Sequence, residues 1–73
     1  MRIINTVSYP WRGYITDITS YTDGWKYCDG SPVVKERYTV KKDGRTLTVV
    51  DGVFSLSGKI TTMMRVISDY ENV

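Results

Sequence analysis

The chain has 73 residues and a formal net charge of +2, with 41% hydrophobic and 25% charged residues, which is the composition of one small globular domain and not of a disordered tail. It contains no histidine and one cysteine, so an internal disulfide, a Cys/His metal cluster and a histidine-dependent catalytic triad are excluded. We expect neither a metal nor another cofactor. The net charge is too small to indicate nucleic-acid binding by itself.

The compartment is predicted from the lone cysteine and from the lack of long apolar runs. A single free cysteine, Cys28, is typical of a reducing environment. The first residues lack the apolar segment of a secretory signal, and no apolar run approaches the ~20 residues that a membrane helix needs. We therefore expect no membrane contact and a cytoplasmic location, which is the host cytoplasm if a phage encodes the protein.

The first part of the chain predicts two strands with a bend between them. Residues 2–8 carry apolar side chains on both alternating faces, which is typical of a central strand. Pro10 lacks a backbone N–H, so residues 9–13 are predicted to form a loop or a bend. Residues 14–21 are rich in β-branched and aromatic side chains and predict the second strand.

The middle of the chain contains four Asp-Gly dipeptides. They begin at positions 23, 29, 43 and 51. Asp-Gly between two β-prone runs is the strongest short signal for a two-residue hairpin turn, because both central residues need a positive φ. The spacing predicts a string of short antiparallel strands, including one over residues 25–28.

Two of these dipeptides predict the register of a central meander. The turn at 43–44 sets Val40 opposite Leu47 and Tyr38 opposite Val49. The turn at 51–52 connects the two strands of a second hairpin and sets Val49 opposite Phe54. The two registers agree, because both place the same apolar side chains on one face, and a slip of one residue would exchange the faces.

The last segment predicts a helix. Ile60, Met63, Met64 and Ile67 recur at i, i+3, i+4 and i+7, which is one face of an α-helix. Ser57 is the predicted N-cap. A strand is the competing interpretation, because threonine, valine and isoleucine are frequent in this segment.

These elements predict a single α+β domain over residues 1–73. It is a small twisted antiparallel β-meander or partial barrel of five to six short strands, with one C-terminal helix packed on one face. The predicted core residues are Tyr38, Val40, Leu47, Val49, Phe54, Leu56, Ile60, Met63, Met64 and Ile67.

The sequence contains no clear catalytic constellation. Four of the eight acidic residues belong to Asp-Gly dipeptides, where the carboxylate has a local role in the turn. Residues 57–59 could present an anion site at a helix start, but they lack the glycine spacing of a phosphate-binding loop. We therefore expect a protein that is not an enzyme.

Protein binding is the function that the aromatic residues favour. Six of the nine aromatic residues lie in the first 34 positions, and Tyr, Trp and Arg are the side chains that anchor interfaces. The predicted contact residues are Trp11, Arg12, Tyr14 and Trp25, and the competing interpretation places the two tryptophans in the core. The partner is expected to be another protein or a second copy of the chain. An accessory or inhibitory protein of a phage or mobile element, acting on a host protein, is an example of this class.

Nucleic-acid binding is the alternative function. The central hairpin carries the cluster of basic residues Lys35, Arg37, Lys41, Lys42 and Arg45, which could meet phosphates or guanine edges. The competing interpretation is a solvated strand face whose lysines deter aggregation. Tyr14, Tyr21, Trp25 and Tyr27 could instead stack on unpaired bases or hold a small nucleotide between them.

Overall fold

The computed structural model describes residues 1–54 and 56–73. Over these residues the chain forms a four-stranded antiparallel sheet with the order β1-β2-β3-β4, followed by one C-terminal helix. The bounds are β1 Arg2–Trp11, β2 Tyr14–Thr22, β3 Lys35–Lys42, β4 Arg45–Val53 and α1 Lys59–Glu71. The α+β class is confirmed, but the described strands number four and not five to six, and the sheet is open and not a partial barrel.

The first strand is longer than predicted and lies at an edge of the sheet. It continues through Pro10 to Trp11, because an edge strand tolerates a residue that cannot donate to the ladder. The turn to β2 is only Arg12-Gly13, with φ of 53° and 82°, as a type I′ hairpin requires. Of the predicted loop or bend over 9–13 only the turn at 12–13 is present, and the predicted central position of this strand is wrong.

The hairpin at 43–44 forms, but its register shifts at Leu47. Lys42 pairs with Arg45, as a two-residue turn at 43–44 requires, and a register shift follows, after which Val40 pairs with Thr48. Leu47 is therefore the extra residue of a β-bulge, which moves every later side chain of β4 to the other face.

The bulge overturns the predicted meander. Tyr38 pairs with Val50 and not with Val49, and Val49 is half exposed on the opposite face. The Asp-Gly at 51–52 is a second bulge inside β4 and not a hairpin turn, and Gly52 has a φ of 76° there. Phe54 therefore has no pairing with Val49, and Ser55, which the predicted second hairpin included, lies outside the described residues.

The segment over 25–28 is part of a loop and not a strand. The only bridge in the described loop pairs Lys26 with Pro32. Backbone N–H groups of Val33 and Tyr27 donate to the carbonyls of Trp25 and Ser31, at 2.9 and 2.8 Å. The loop is therefore a small ordered hairpin of its own.

The helix is present as predicted, with a different start and a rotated buried face. Gly58 and not Ser57 is its N-cap, and Met63, Val66 and Ile67 are its buried residues. Ile60 and Met64, which the periodicity assigned to the core, are about 40% exposed. The helix therefore faces the sheet with a side that includes Val66, which the prediction omitted.

The core lies between α1 and one face of the sheet. The buried cluster contains Ile18, Tyr38 and Val40 from the sheet together with the three helix residues. Half-buried side chains at its border are Val7, Tyr9, Trp11, Tyr14, Val50 and Val53. Of the predicted core, Tyr38, Val40, Met63 and Ile67 are confirmed as buried, Leu47 is half-buried, and Val49, Phe54, Leu56, Ile60 and Met64 are exposed.

Candidate functional site

An apolar groove of about 600 Å³ runs between α1 and the edge strand β4. Its sheet wall is formed by Leu47, Val50 and Val53. These side chains stay accessible because the helix covers the sheet unevenly and leaves the inner face of β4 half exposed. The groove is thus the open continuation of the hydrophobic core.

The segment between β4 and α1 adds two exposed apolar side chains to the groove. Phe54 is 50% exposed and Leu56 is 96% exposed. Isolated apolar residues on a surface are ordinary, but a contiguous apolar patch marks an interaction site. These two side chains border the same cavity as the sheet wall, so together they form one continuous apolar surface.

The helix wall of the groove is mixed. Val66 and Tyr70 lie one turn apart on α1, and Val73, just beyond the end of the helix, continues this apolar line. Arg65 and Asp69 lie beside it. This line was the sequence signal that could have revealed the groove. The groove can therefore accept apolar side chains at its floor and polar or charged groups along its helix rim.

Three of the four predicted contact residues meet at one end of the molecule, where two of them bond to the last residue of the helix. Glu71 accepts hydrogen bonds from the Arg12 guanidinium at 3.3 Å and the Tyr14 hydroxyl at 3.1 Å. Partial burial and the bond to Glu71 raise the pKa of Tyr14. Arg12 also stacks 5.3 Å from the ring centre of Trp11, which itself packs against the core. We refer to Arg12, Tyr14 and Glu71 as the helix latch.

Trp25 lies at the other end of the sheet. It follows Thr22, which pairs with Arg2 at the start of β1, whereas the latch adjoins the turn after Trp11. A strand the length of β2 spans about 30 Å, so Trp25 and Trp11 do not share a surface. Trp25 is 68% exposed.

The predicted nucleic-acid residues lie mostly on the sheet face opposite the helix. Lys35, Arg37 and Lys41 alternate with the buried residues of β3. Lys41 contacts Asp17 at 2.7 Å, and Ser8 donates to the same carboxylate. The bonds from Lys41 and Ser8 hold the pKa of Asp17 below its ordinary value.

Arg37 belongs to a second cross-strand cluster on this open face. It contacts Asp51 at 2.8 Å and stacks 5.6 Å from the ring centre of Tyr21. The Tyr21 hydroxyl reaches across β3 to donate to Asp51. Hydrogen bonds from Arg37 and Tyr21 lower the pKa of Asp51 to about 2. The stacked guanidinium helps explain why Tyr21 is buried on a face that no helix covers.

The remaining basic residues are only partly engaged. Lys35 lies 3.8 Å from Asp23, and the Lys42 ammonium lies 5.3 Å from the ring centre of Tyr14. Arg45 is exposed beside the turn. Three of the five predicted cations therefore have a carboxylate within contact distance, which offsets much of the positive potential of the hairpin.

Comparison of the chain with protein-family models, with curated proteins and with solved structures finds no match. In the part of the chain that the structure describes, no three His, Cys, Asp or Glu side chains are grouped to hold a metal ion. No described helix has the length and apolar character that crossing a membrane requires. A function for this chain is therefore inferred from its own surface features.

Proposed function

We propose that this chain is a small, non-enzymatic protein-binding domain whose contact surface is the groove between α1 and β4. The observation that carries the proposal is the exposure of Leu56 and Phe54 beside an apolar cavity of about 600 Å³. A chain of this length buries a modest core, so leaving such side chains in water is a cost that a partner would remove. The groove is favoured over the predicted contact surface around Trp11, because Arg12 and Tyr14 there already bond to Glu71 of the helix.

The groove favours a partner segment with a few apolar anchors and a polar flank. The apolar floor formed by β4 would bury the anchors, and Arg65 and Asp69 on the rim offer one charge of each sign to the flank. An amphipathic helix laid along the groove has this pattern. The pairing of rim charges would set its orientation more than its affinity.

The test compares two substitutions of exposed aliphatic residues on opposite edges of the molecule. Leu56→Asp changes the groove, and Ile4→Asp changes β1, where Ile4 is 55% exposed. Burying a leucine side chain contributes about 2 kcal/mol, so Leu56→Asp should weaken partner binding by roughly 30-fold. Both variants should fold, because neither side chain is buried.

The measurement is affinity capture from the source cell with quantitative mass spectrometry, followed by titration of the captured protein. A partner that binds the wild type and Ile4→Asp, but not Leu56→Asp, supports the groove. A partner that is retained by Leu56→Asp and lost by Ile4→Asp rejects it. Light scattering over a range of concentrations distinguishes a second copy of the chain from a different protein.

Nucleic-acid binding through the central hairpin is less favoured. Lys41 and Arg37 already contact Asp17 and Asp51 at 2.7 and 2.8 Å. Phosphate binding would have to displace these carboxylates, or bring a third charge to each pair.

A further inference from the structure

A second cavity lies at the end of the sheet where β1 begins and β2 ends. Its volume is about 410 Å³, within the ~300–1,000 Å³ range of small-molecule sites. Trp25, Arg2, Lys26 and Asp23 line it. It is separate from the groove, which these residues do not line.

The tryptophan of this cavity is exposed on an ordered backbone. Its carbonyl accepts the N–H of Val33, and the turn beyond it is held by Asp29, which accepts the N–H of Ser31 at 2.9 Å. Its side chain is 68% exposed. Because the backbone beneath the ring is already ordered, only the side chain itself has to be fixed when a flat ligand stacks on it.

The charges around the ring favour an anion. Arg2 and Lys26 both line the cavity, and the one carboxylate there, Asp23, lies 3.8 Å from Lys35. A free aromatic face next to two cations suits a ligand that combines a planar ring with a negative group. An acidic peptide would use the cations but would need a further flat side chain to cover the ring.

We propose that this cavity binds a nucleotide, with its base stacked on Trp25 and its phosphate held by Arg2 and Lys26. Every base has a π-face, so stacking on one aromatic ring tolerates different bases. Guanidinium and ammonium groups are the usual donors to phosphate. The same chemistry is presented by a free nucleotide and by a nucleotide within a single strand.

The two tryptophans of the chain allow a direct fluorescence test. Trp11→Phe leaves Trp25 as the sole tryptophan, and Trp25→Phe leaves Trp11 as the matched control. AMP at millimolar concentration should quench the fluorescence of Trp25 and leave the fluorescence of Trp11 unchanged. Adenosine should bind about tenfold more weakly, because it lacks the phosphate that two surface cations contact. Ribose 5-phosphate should not quench.

A charge variant and an oligonucleotide complete the test. The double variant Arg2→Gln/Lys26→Gln should bind AMP about tenfold more weakly and bind adenosine with unchanged affinity. The amide NMR spectrum of this variant shows whether its fold is intact. If a single-stranded hexa-adenylate binds with the same affinity as AMP, the cavity is a site for free nucleotides. If it binds more tightly than AMP, the cavity is a site for a single strand. Absence of quenching by AMP, or equal affinity for AMP and adenosine, would overturn the proposal. Leu56→Asp should bind AMP normally, so this result is independent of the groove.

Discussion

Two adjacent methionines allow the orientation of α1 to be tested with the same chemical change. Met63 is 1% exposed and Met64 is 38% exposed. Truncating a fully buried methionine to alanine costs about 2–5 kcal/mol, since a cavity is left behind, and we expect about 3 kcal/mol for Met63→Ala. We expect about 1 kcal/mol or less for Met64→Ala, because much of its side chain already contacts water. Methionine and alanine are both good helix formers, so the difference measures packing.

The assay is urea and thermal unfolding of both variants beside the wild type. A difference of about 2 kcal/mol separates their Tm values by roughly 8–16 °C in a domain of this size. The total stability expected for this length is about 4–11 kcal/mol, so Met63→Ala should still fold at low temperature. Equal losses, or a larger loss for Met64→Ala, would refute the helix orientation. The line of Val66, Tyr70 and Val73 would then not face the groove.

Two further predictions concern the open face of the sheet. Since the pKa of Asp51 is lowered from 3.8 to about 2 by Arg37 and Tyr21, the stability that this carboxylate contributes is present above about pH 4 and is lost as the pH falls from there towards 2. Asp51→Asn should therefore lower the Tm at neutral pH and approach the wild type near pH 2, and a pH-independent difference would contradict this. In gel-shift titrations at two salt concentrations, Arg37→Ala/Lys41→Ala should behave as the wild type does. A salt-sensitive complex that only the wild type forms would establish nucleic-acid binding through the hairpin.

The sequence predicted those elements whose signals are local. The turn at 43–44 depends on two neighbouring residues, and Asp43 and Gly44 have φ of 52° and 77° as that turn requires. The helix depends on a periodicity that spans about two turns. Both signals are complete within the segment that they describe, so no distant contact is needed to interpret them.

The register of β4 could not be predicted in this way. Val49 and Val50 are adjacent, so an apolar side chain faces the core whether or not Leu47 is bulged. Asp51-Gly52 is equally ambiguous, because a glycine with positive φ suits a hairpin turn and a β-bulge. Pairing with β3 decides between the registers, and the bulges move Leu47, Phe54 and Leu56 from the predicted core to the groove.

The groove follows from the difference in width between the sheet and the single helix that covers it. Four strands about 4.8 Å apart present a face about 15–20 Å wide, whereas a single helix is only about 10–12 Å in diameter. One helix therefore leaves part of the sheet uncovered. Glu71 is bonded to the β1–β2 hairpin. Asp69 lies about 160° around the helix from Glu71, and it lines the groove on the other side. The latch thus joins the end of the helix to β1 and β2, and the inner face of β4 stays half exposed.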